Sequence, residues 1–195
     1  IIRPLIALLL VLSAAGLAPA ASSAASNDSF TSKSLDFTVS WNASVWTGTD
    51  GTGDLAGGVT LDSDTSTVVI GGFADAGGDI NGCISRRANQ EKKRGGVSNF
   101  KQVNSGFDKV DAPNDAVGAL YTYTQTSASG GKSDQKVIYI ECRPGNGDDV
   151  LRITFLTFAD SYASAFPGFK SVYESIELTG AQNGGDPTPA ETATA

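Results

Sequence analysis

The sequence predicts an α+β fold in which a mainly antiparallel sheet is flanked by helices. Three strand-like segments follow one another between Val117 and Phe158, separated by short polar loops, the arrangement of an antiparallel meander. Two segments, Ile80 to Ala88 and Tyr162 to Ile176, repeat apolar residues at helical spacing. Nine Phe, two Trp and five Tyr are ample for one core, and the stretch between the chain's two ends, roughly 150 residues, fits one domain.

Taken in order, Phe30 to Ser40 carries the alternation Leu35, Phe37, Val39, Trp41, the pattern of a strand with one buried face. Asn42 favours a bend, so Trp41 to Trp46 reads as an irregular turn that returns Trp46 to the core. Asp50 to Gly58 holds four glycines and reads as a flexible loop. Gly58 to Leu61 and Thr67 to Phe73 read as short strands about a turn at Asp62-Ser63-Asp64, grouped with the opening strand in an N-terminal antiparallel unit. Asp79 is placed to cap a helix whose Ile80, Cys83, Ile84 and Ala88 share one face, and Gly95-Gly96 ends it. The opposite surface of that helix carries Arg86, Arg87, Lys92, Lys93 and Arg94, with Glu91 among them.

The stretch from Val97 to Val110 is ambiguous, with a strand expected around Phe100 to Val103, and Ala112 to Asp115 reads as a turn. Beyond it, Ala119, Tyr121 and Tyr123 share one face of a strand and Leu120 and Thr122 the other. Ser127 to Ser133 is a hairpin loop, and Val137 to Cys142 sets Val137, Tyr139 and Glu141 against Ile138, Ile140 and Cys142. Pro144 to Asp149 reads as a polar turn before the long strand Val150 to Phe158. The closing helical segment is broken at Pro167, which is expected in the first turn of a second short helix. No internal repeat is present.

Residues 1–25 read as a signal peptide or N-terminal anchor: Arg3, an apolar stretch from Leu5 to Leu12, and small residues at Leu17-Ala18-Pro19-Ala20-Ala21. Residues 29–180 are the expected single domain, and 181–195, without an aromatic or β-branched aliphatic residue, read as a disordered tail. The expected location is therefore secreted or extracytoplasmic, in the periplasm or cell envelope. In that compartment the isolated pair Cys83 and Cys142 points to a disulfide. A redox or nucleophilic thiol lacks both a CxxC motif and a histidine base.

Composition narrows the chemistry. The chain has no histidine, which excludes Ser-His-Asp, Cys-His and HExxH catalysis. With 14 basic and 21 acidic side chains its formal charge is -7, which disfavours nucleic acid as a partner. No cofactor and no metal site is expected. Asp50, Asp54, Asp62, Asp64, Asp148 and Asp149 offer oxygen ligands for calcium, but none forms the twelve-residue loop with its terminal Glu. Glu141 is the one acid whose strand position could draw it inward, and it reads equally as pointing to water beside Lys136 or Arg143; Gly130-Gly131-Lys132-Ser133 lacks the context of a phosphate loop.

The segment Leu35-Asp36-Phe37-Thr38-Val39-Ser40-Trp41 running on to Trp46, the mid-chain helix, the meander, and the closing Tyr162-x6-Phe169-x5-Ser175-Ile176 together resemble the Mog1/PsbP-like fold. The resemblance covers most of residues 30–179 and includes bacterial extracytoplasmic proteins of unknown role. Where such proteins carry Tyr-Pro-x-x-Trp, this chain has Trp41-Asn42-Ala43-Ser44-Val45-Trp46. The resemblance implies an α/β/α sandwich and a non-enzymatic accessory or binding domain; the family's photosynthetic and nuclear-transport roles do not carry over to residues here.

Two surfaces are candidates for binding. The cluster Arg86, Arg87, Lys92, Lys93 and Arg94 suits an acidic partner, anionic lipid or cell-wall polyanion, against the plainer reading of a solvated helix face. Tyr121, Tyr123 and Tyr139 are expected on one sheet face, either gripping a ligand or packed beneath a helix. The expected function is a monomeric extracytoplasmic binding domain for an unspecified protein, lipid or cell-wall partner, touching membrane only through an uncleaved N-terminal segment. A secreted hydrolase using carboxylates and a purely structural envelope protein are the alternatives. A binding domain predicts exposed basic or tyrosine surfaces and no buried acid, whereas a hydrolase predicts convergent carboxylates in a deep cleft.

Overall fold

The computed structural model describes residues 27–52, 57–73, 79–127, 129, 131–145 and 147–179. The expected export segment and tail lie outside the described residues, as does Asp54. The chain runs through β1 (Asn27–Ser32), β2 (Phe37–Asn42), β3 (Thr47–Asp50), β4 (Val59–Asp62), β5 (Ser66–Phe73) and α1 (Ile80–Lys92). It continues through β6 (Val97–Val103), β7 (Val117–Thr126), β8 (Ser133–Pro144), β9 (Val150–Phe158), α2 (Tyr162–Glu174) and β10 (Glu177–Leu178). A seven-stranded antiparallel sheet has the order β3-β4-β5-β9-β8-β7-β6, and β1-β2-β10 form a second, three-stranded sheet.

Three layers result, as expected. On one face of the large sheet, Cys83, Ile84 and Ala88 of α1 pack on Tyr123, Ile138, Ile140 and Cys142. On the other, Leu120, Val137, Tyr139, Ile153 and Phe155 meet Phe166, Phe169 and Val172 of α2 and Phe37, Val39 and Trp41 of the small sheet. The Phe155 and Phe169 rings stack there with centroids 4.4 Å apart. Strand β8 is buried from both sides because it is covered by a helix on each, and so its residues Val137 to Arg143 are all buried.

Several elements differ from the expectations. The opening strand is a hairpin: β1 pairs with β2 from Asn27↔Asn42 to Ser32↔Phe37. The turn between them holds Asp36 in the left-handed region at a φ of 47°. Leu35 keeps the inward parity of Phe37, Val39 and Trp41 although it lies in that turn, so the apolar alternation did not reveal the reversal. The hairpin does not join β4 and β5; it pairs with β10, while β5 joins β9 of the meander. Strand β3 is exposed throughout and has no apolar residue to betray it. Strand β6 is longer than expected and irregular between Ser98 and Lys101, where Asn99 takes a φ of 54°.

Pro167 lies inside one continuous α2, not in the first turn of a second helix. It removes the hydrogen bond to the Ala163 carbonyl, a loss of about 3 kcal/mol in a helix interior. Ala163 and Pro167 are both exposed, so water reaches that carbonyl, and burial of Phe166 and Phe169, at about 2 kcal/mol each, offsets the cost.

Cys83 and Cys142 form a disulfide, with Cα atoms 6.3 Å apart, that ties α1 to the interior strand β8. Its sequence separation is 59 residues. For a closed loop of that size the chain-entropy relation gives about 4 kcal/mol. Reduction, or the double variant Cys83→Ala/Cys142→Ala, is expected to lower unfolding stability by about 2–5 kcal/mol, read as a fall in the urea midpoint; an unchanged midpoint counts against the tether.

Candidate functional site

Helix α1 begins as its sequence requires: the Asp79 carboxylate accepts from the Gly82 N–H at 2.8 Å and also pairs with exposed Arg86 at 3.2 Å. At the other end, Glu91 does not share the outer basic surface with its neighbours. It lies seven residues beyond Ile84, on the inward stripe, and only 2% of its side chain is exposed. Three groups make that burial tolerable. Arg87 reaches it at 3.0 Å, Arg94 at 3.3 Å, and the Tyr123 hydroxyl donates to it at 2.7 Å. Burial acts to raise the Glu91 pKa, but Tyr123, Arg87 and Arg94 together outweigh it and hold the carboxyl below its ordinary 4.5.

One carboxylate is thus shared by two guanidinium groups. Lys92 and Lys93, exposed at the C-terminal end of α1, make no ion pair among the described residues. The basic surface extends further than the sequence suggested. Lys136 pairs across strands with Tyr123 and so emerges on the α1 face, where its ammonium sits 3.0 Å from the centroid of the Phe158 ring. Burial lowers the Lys136 pKa; Arg94 and Lys132 add to the effect, while Asp134 and Asp160 oppose it. Buried Arg152 faces the same way, and burial followed by the nearby Arg87 charge lowers its pKa to about 10. Strand parity places Lys136 with Ile138 and Ile140, but only the register of β7 against β8 brings it to the end of α1.

The three tyrosines do not share a face. Register pairs Tyr121 with Ile138 and Leu120 with Tyr139, and directly opposed residues point the same way, so Tyr139 lies on the α2 side. Tyr123 is buried beneath α1, and half-buried Tyr121 stacks on Phe100 with centroids 5.0 Å apart. Tyr139 is buried as well, so no exposed stripe of these rings exists.

On the α2 side Tyr139 completes a second buried acid site. Glu141 has no exposed surface. It accepts from the Tyr139 hydroxyl at 2.6 Å and from the Tyr173 hydroxyl at 3.0 and 3.1 Å. Gly118, paired with Glu141 across the strands, leaves room for Tyr139: a Cβ at position 118 would meet its hydroxyl at 2.7 Å. Burial first, and then the Glu141 charge and hydrogen bond, raise the pKa values of Tyr139 and Tyr173, so both remain protonated donors. The guanidinium of Arg143 lies 5.6 Å from the Tyr173 ring centroid. The expectation that a binding domain would bury no acid therefore fails twice. Both acids are engaged by neighbouring side chains, however, and Glu141 is sealed from solvent. Among the described residues no group of three or more His, Cys, Asp or Glu side chains is arranged to hold a metal ion.

No family model and no curated protein matches this chain. Among solved structures, the Ran-binding protein Mog1p of Saccharomyces cerevisiae is similar at a TM-score of 0.52 and 7% identity, over 80% of this chain and 97% of that one. The cyanobacterial PsbP (CyanoP) of Synechocystis sp. PCC 6803 is similar at a TM-score of 0.51 and 13% identity, over 81% of this chain and 95% of that one. The chain has the Mog1/PsbP-like fold.

The Glu91 site sets a pH dependence. A carboxyl held below its unfolded value contributes stability that is fully present above that value and is lost as pH falls through the lower, folded value. Tyr123→Phe is expected to cost about 1.5–3 kcal/mol at neutral pH, the range for a hydrogen bond to a charged group. The difference from wild type should shrink as pH falls below 4.5 and Glu91 takes up its proton. Urea unfolding of both proteins across that range measures it, and a difference independent of pH would assign the loss to packing.

Proposed function

We propose that this domain is a non-enzymatic, extracytoplasmic binding or accessory module that docks an anionic partner of the cell envelope through the C-terminal end of α1. The observation that carries the reading is the pair Lys92 and Lys93: adjacent, exposed and without an ion pair among the described residues, in a chain of formal charge -7. Arg94 beside them is also exposed and shares Glu91 with Arg87. Cations concentrated at one place on an acidic protein make a local field that an outside anion neutralises. The export-type N-terminus and the disulfide support the compartment. The absence of histidine from the chain and the engagement of Glu91 and Glu141 by their neighbours support a role without catalysis. The yeast neighbour is named for binding Ran, which gives a precedent for docking on this fold but not a partner for this chain.

Binding of the full chain to phosphatidylglycerol-containing vesicles and to immobilised polyglutamate, at low and high salt, tests the reading. At about 1 kcal/mol for each cation near an anionic surface, Lys92→Glu/Lys93→Glu is expected to weaken binding at least about tenfold. Added salt should weaken the wild type. Lys33→Glu/Lys170→Glu makes the same change in net charge elsewhere and should have little effect. Equal losses in the two variants, or no binding to either probe at low salt, would rule out docking through α1.

A further inference from the structure

On the opposite side of the large sheet from α1, an open groove of about 550 Å³ runs between the early turns of α2, the turn after β2 and the turn joining β4 to β5. Its volume lies within the ~300–1,000 Å³ of small-molecule sites. Buried Trp46 contributes to its wall, and Val45, 48% exposed, supplies an apolar surface at its edge.

Trp46 Nε1–H, which has no partner among the described residues, is a single donor in the wall, but the hydroxyls of the lining are one-sided in hydrogen bonding. The Ser44 hydroxyl donates to Asn42 Oδ1 at 2.7 Å, Ser63 to the Ser66 carbonyl at 3.2 Å, and Ser164 to the Ser161 carbonyl at 2.9 Å. Thr65 Oγ1 lies 3.4 Å from Ser66 Oγ, whose own proton goes to Thr157 Oγ1 at 2.9 Å, so Thr65 is the donor of that pair. Thr157 in turn donates to the Thr65 carbonyl at 3.1 Å, which closes the ring. Each lining hydroxyl therefore spends its proton within the protein and has only lone pairs left to offer. Asp64, exposed among them, is acceptor-only as a carboxylate and makes no hydrogen bond or ion pair among the described residues. No Lys or Arg lines the groove.

Such a surface suits a ligand that brings several donors, no negative charge and a patch of C–H surface. An amino sugar has all three. We infer that this groove is a binding site for an amino-sugar unit, with its ammonium on Asp64, its hydroxyls on the oxygens of Ser44, Ser63 and Ser164, and its apolar ring face against Val45. This site prefers the opposite charge to the surface on α1 and stands independently of that reading.

Isothermal titration of the full chain with a glucosamine trimer, at mildly acidic pH to keep the amines charged, tests it. Saturable binding is expected, weakened about tenfold by Asp64→Asn, the loss of one charge-assisted contact. The N-acetylated trimer, without its ammonium groups, should bind about tenfold more weakly than the glucosamine trimer. A glucuronate trimer should not bind, and Lys92→Glu/Lys93→Glu should leave glucosamine affinity unchanged. Absence of saturation, an affinity that Asp64→Asn leaves the same, or equal binding of spermidine with the same dependence on Asp64 would overturn the inference; the last result would show a site for charge alone.

Discussion

Two neighbouring residues on β8, an interior strand of the large sheet, hold both outer layers. Side chains alternate across β8, so Glu141 points to α2 and Cys142 to α1. Glu141 binds Tyr173 of α2, and Cys142 is bonded to Cys83 of α1. A buried carboxylate without partners costs several kcal/mol. Here Tyr139 on the same strand and Tyr173 on the helix both donate to it. Slipping β8 by one residue would carry the carboxylate to the α1 face and the cysteine to the α2 face, so the register is set by polar and covalent demands in addition to apolar pattern.

The two buried glutamates solve the same problem with different results outside. Glu141 is served by two phenols and has no ion pair among those described, so its site projects no excess positive charge toward solvent. Glu91 is served by one phenol and two guanidinium groups, so positive charge exceeds negative at the end of α1. An internal requirement, satisfying a carboxylate on the inward face of a helix, thereby places Arg87 and Arg94 beside Lys92 and Lys93. The basic surface is in this sense partly a consequence of how the core is closed.

The sequence made legible whatever depends on spacing within one segment. The parity of β8 and β9, the Asp79 cap and the inward face of α1 through Ala88 are of that kind, and the two cysteines left one pairing to expect. Features that depend on register between segments were not legible. Tyr139 was expected on the face of Tyr121 because both alternate in their own strands, and only the pairing Leu120↔Tyr139 separates them. Glu91 continued the stripe of Ile84 and Ala88, yet its charge suggested solvent, since its partner Tyr123 lies 32 residues on. The β1–β2 reversal was hidden because Leu35, in the turn, points inward like the strand residues that follow it.

The layer order also bears on how the surfaces coexist. Strand β2 is flanked by β1 and β10, and the Ser175 hydroxyl, donating to the Ser40 carbonyl at 2.7 Å and accepting from its N–H at 3.0 Å, clamps the end of α2 to β2. The described chain therefore enters and leaves through the small sheet, on the α2 side, with the large sheet between it and α1. The groove at Asp64 lies on this side and the basic end of α1 on the other. The two surfaces also differ in charge, one presenting hydroxyl oxygens around Asp64 and the other the ammonium groups of Lys92 and Lys93, which make no ion pair among the described residues. The large sheet, with a separate cluster of buried residues on each face, keeps the two surfaces apart.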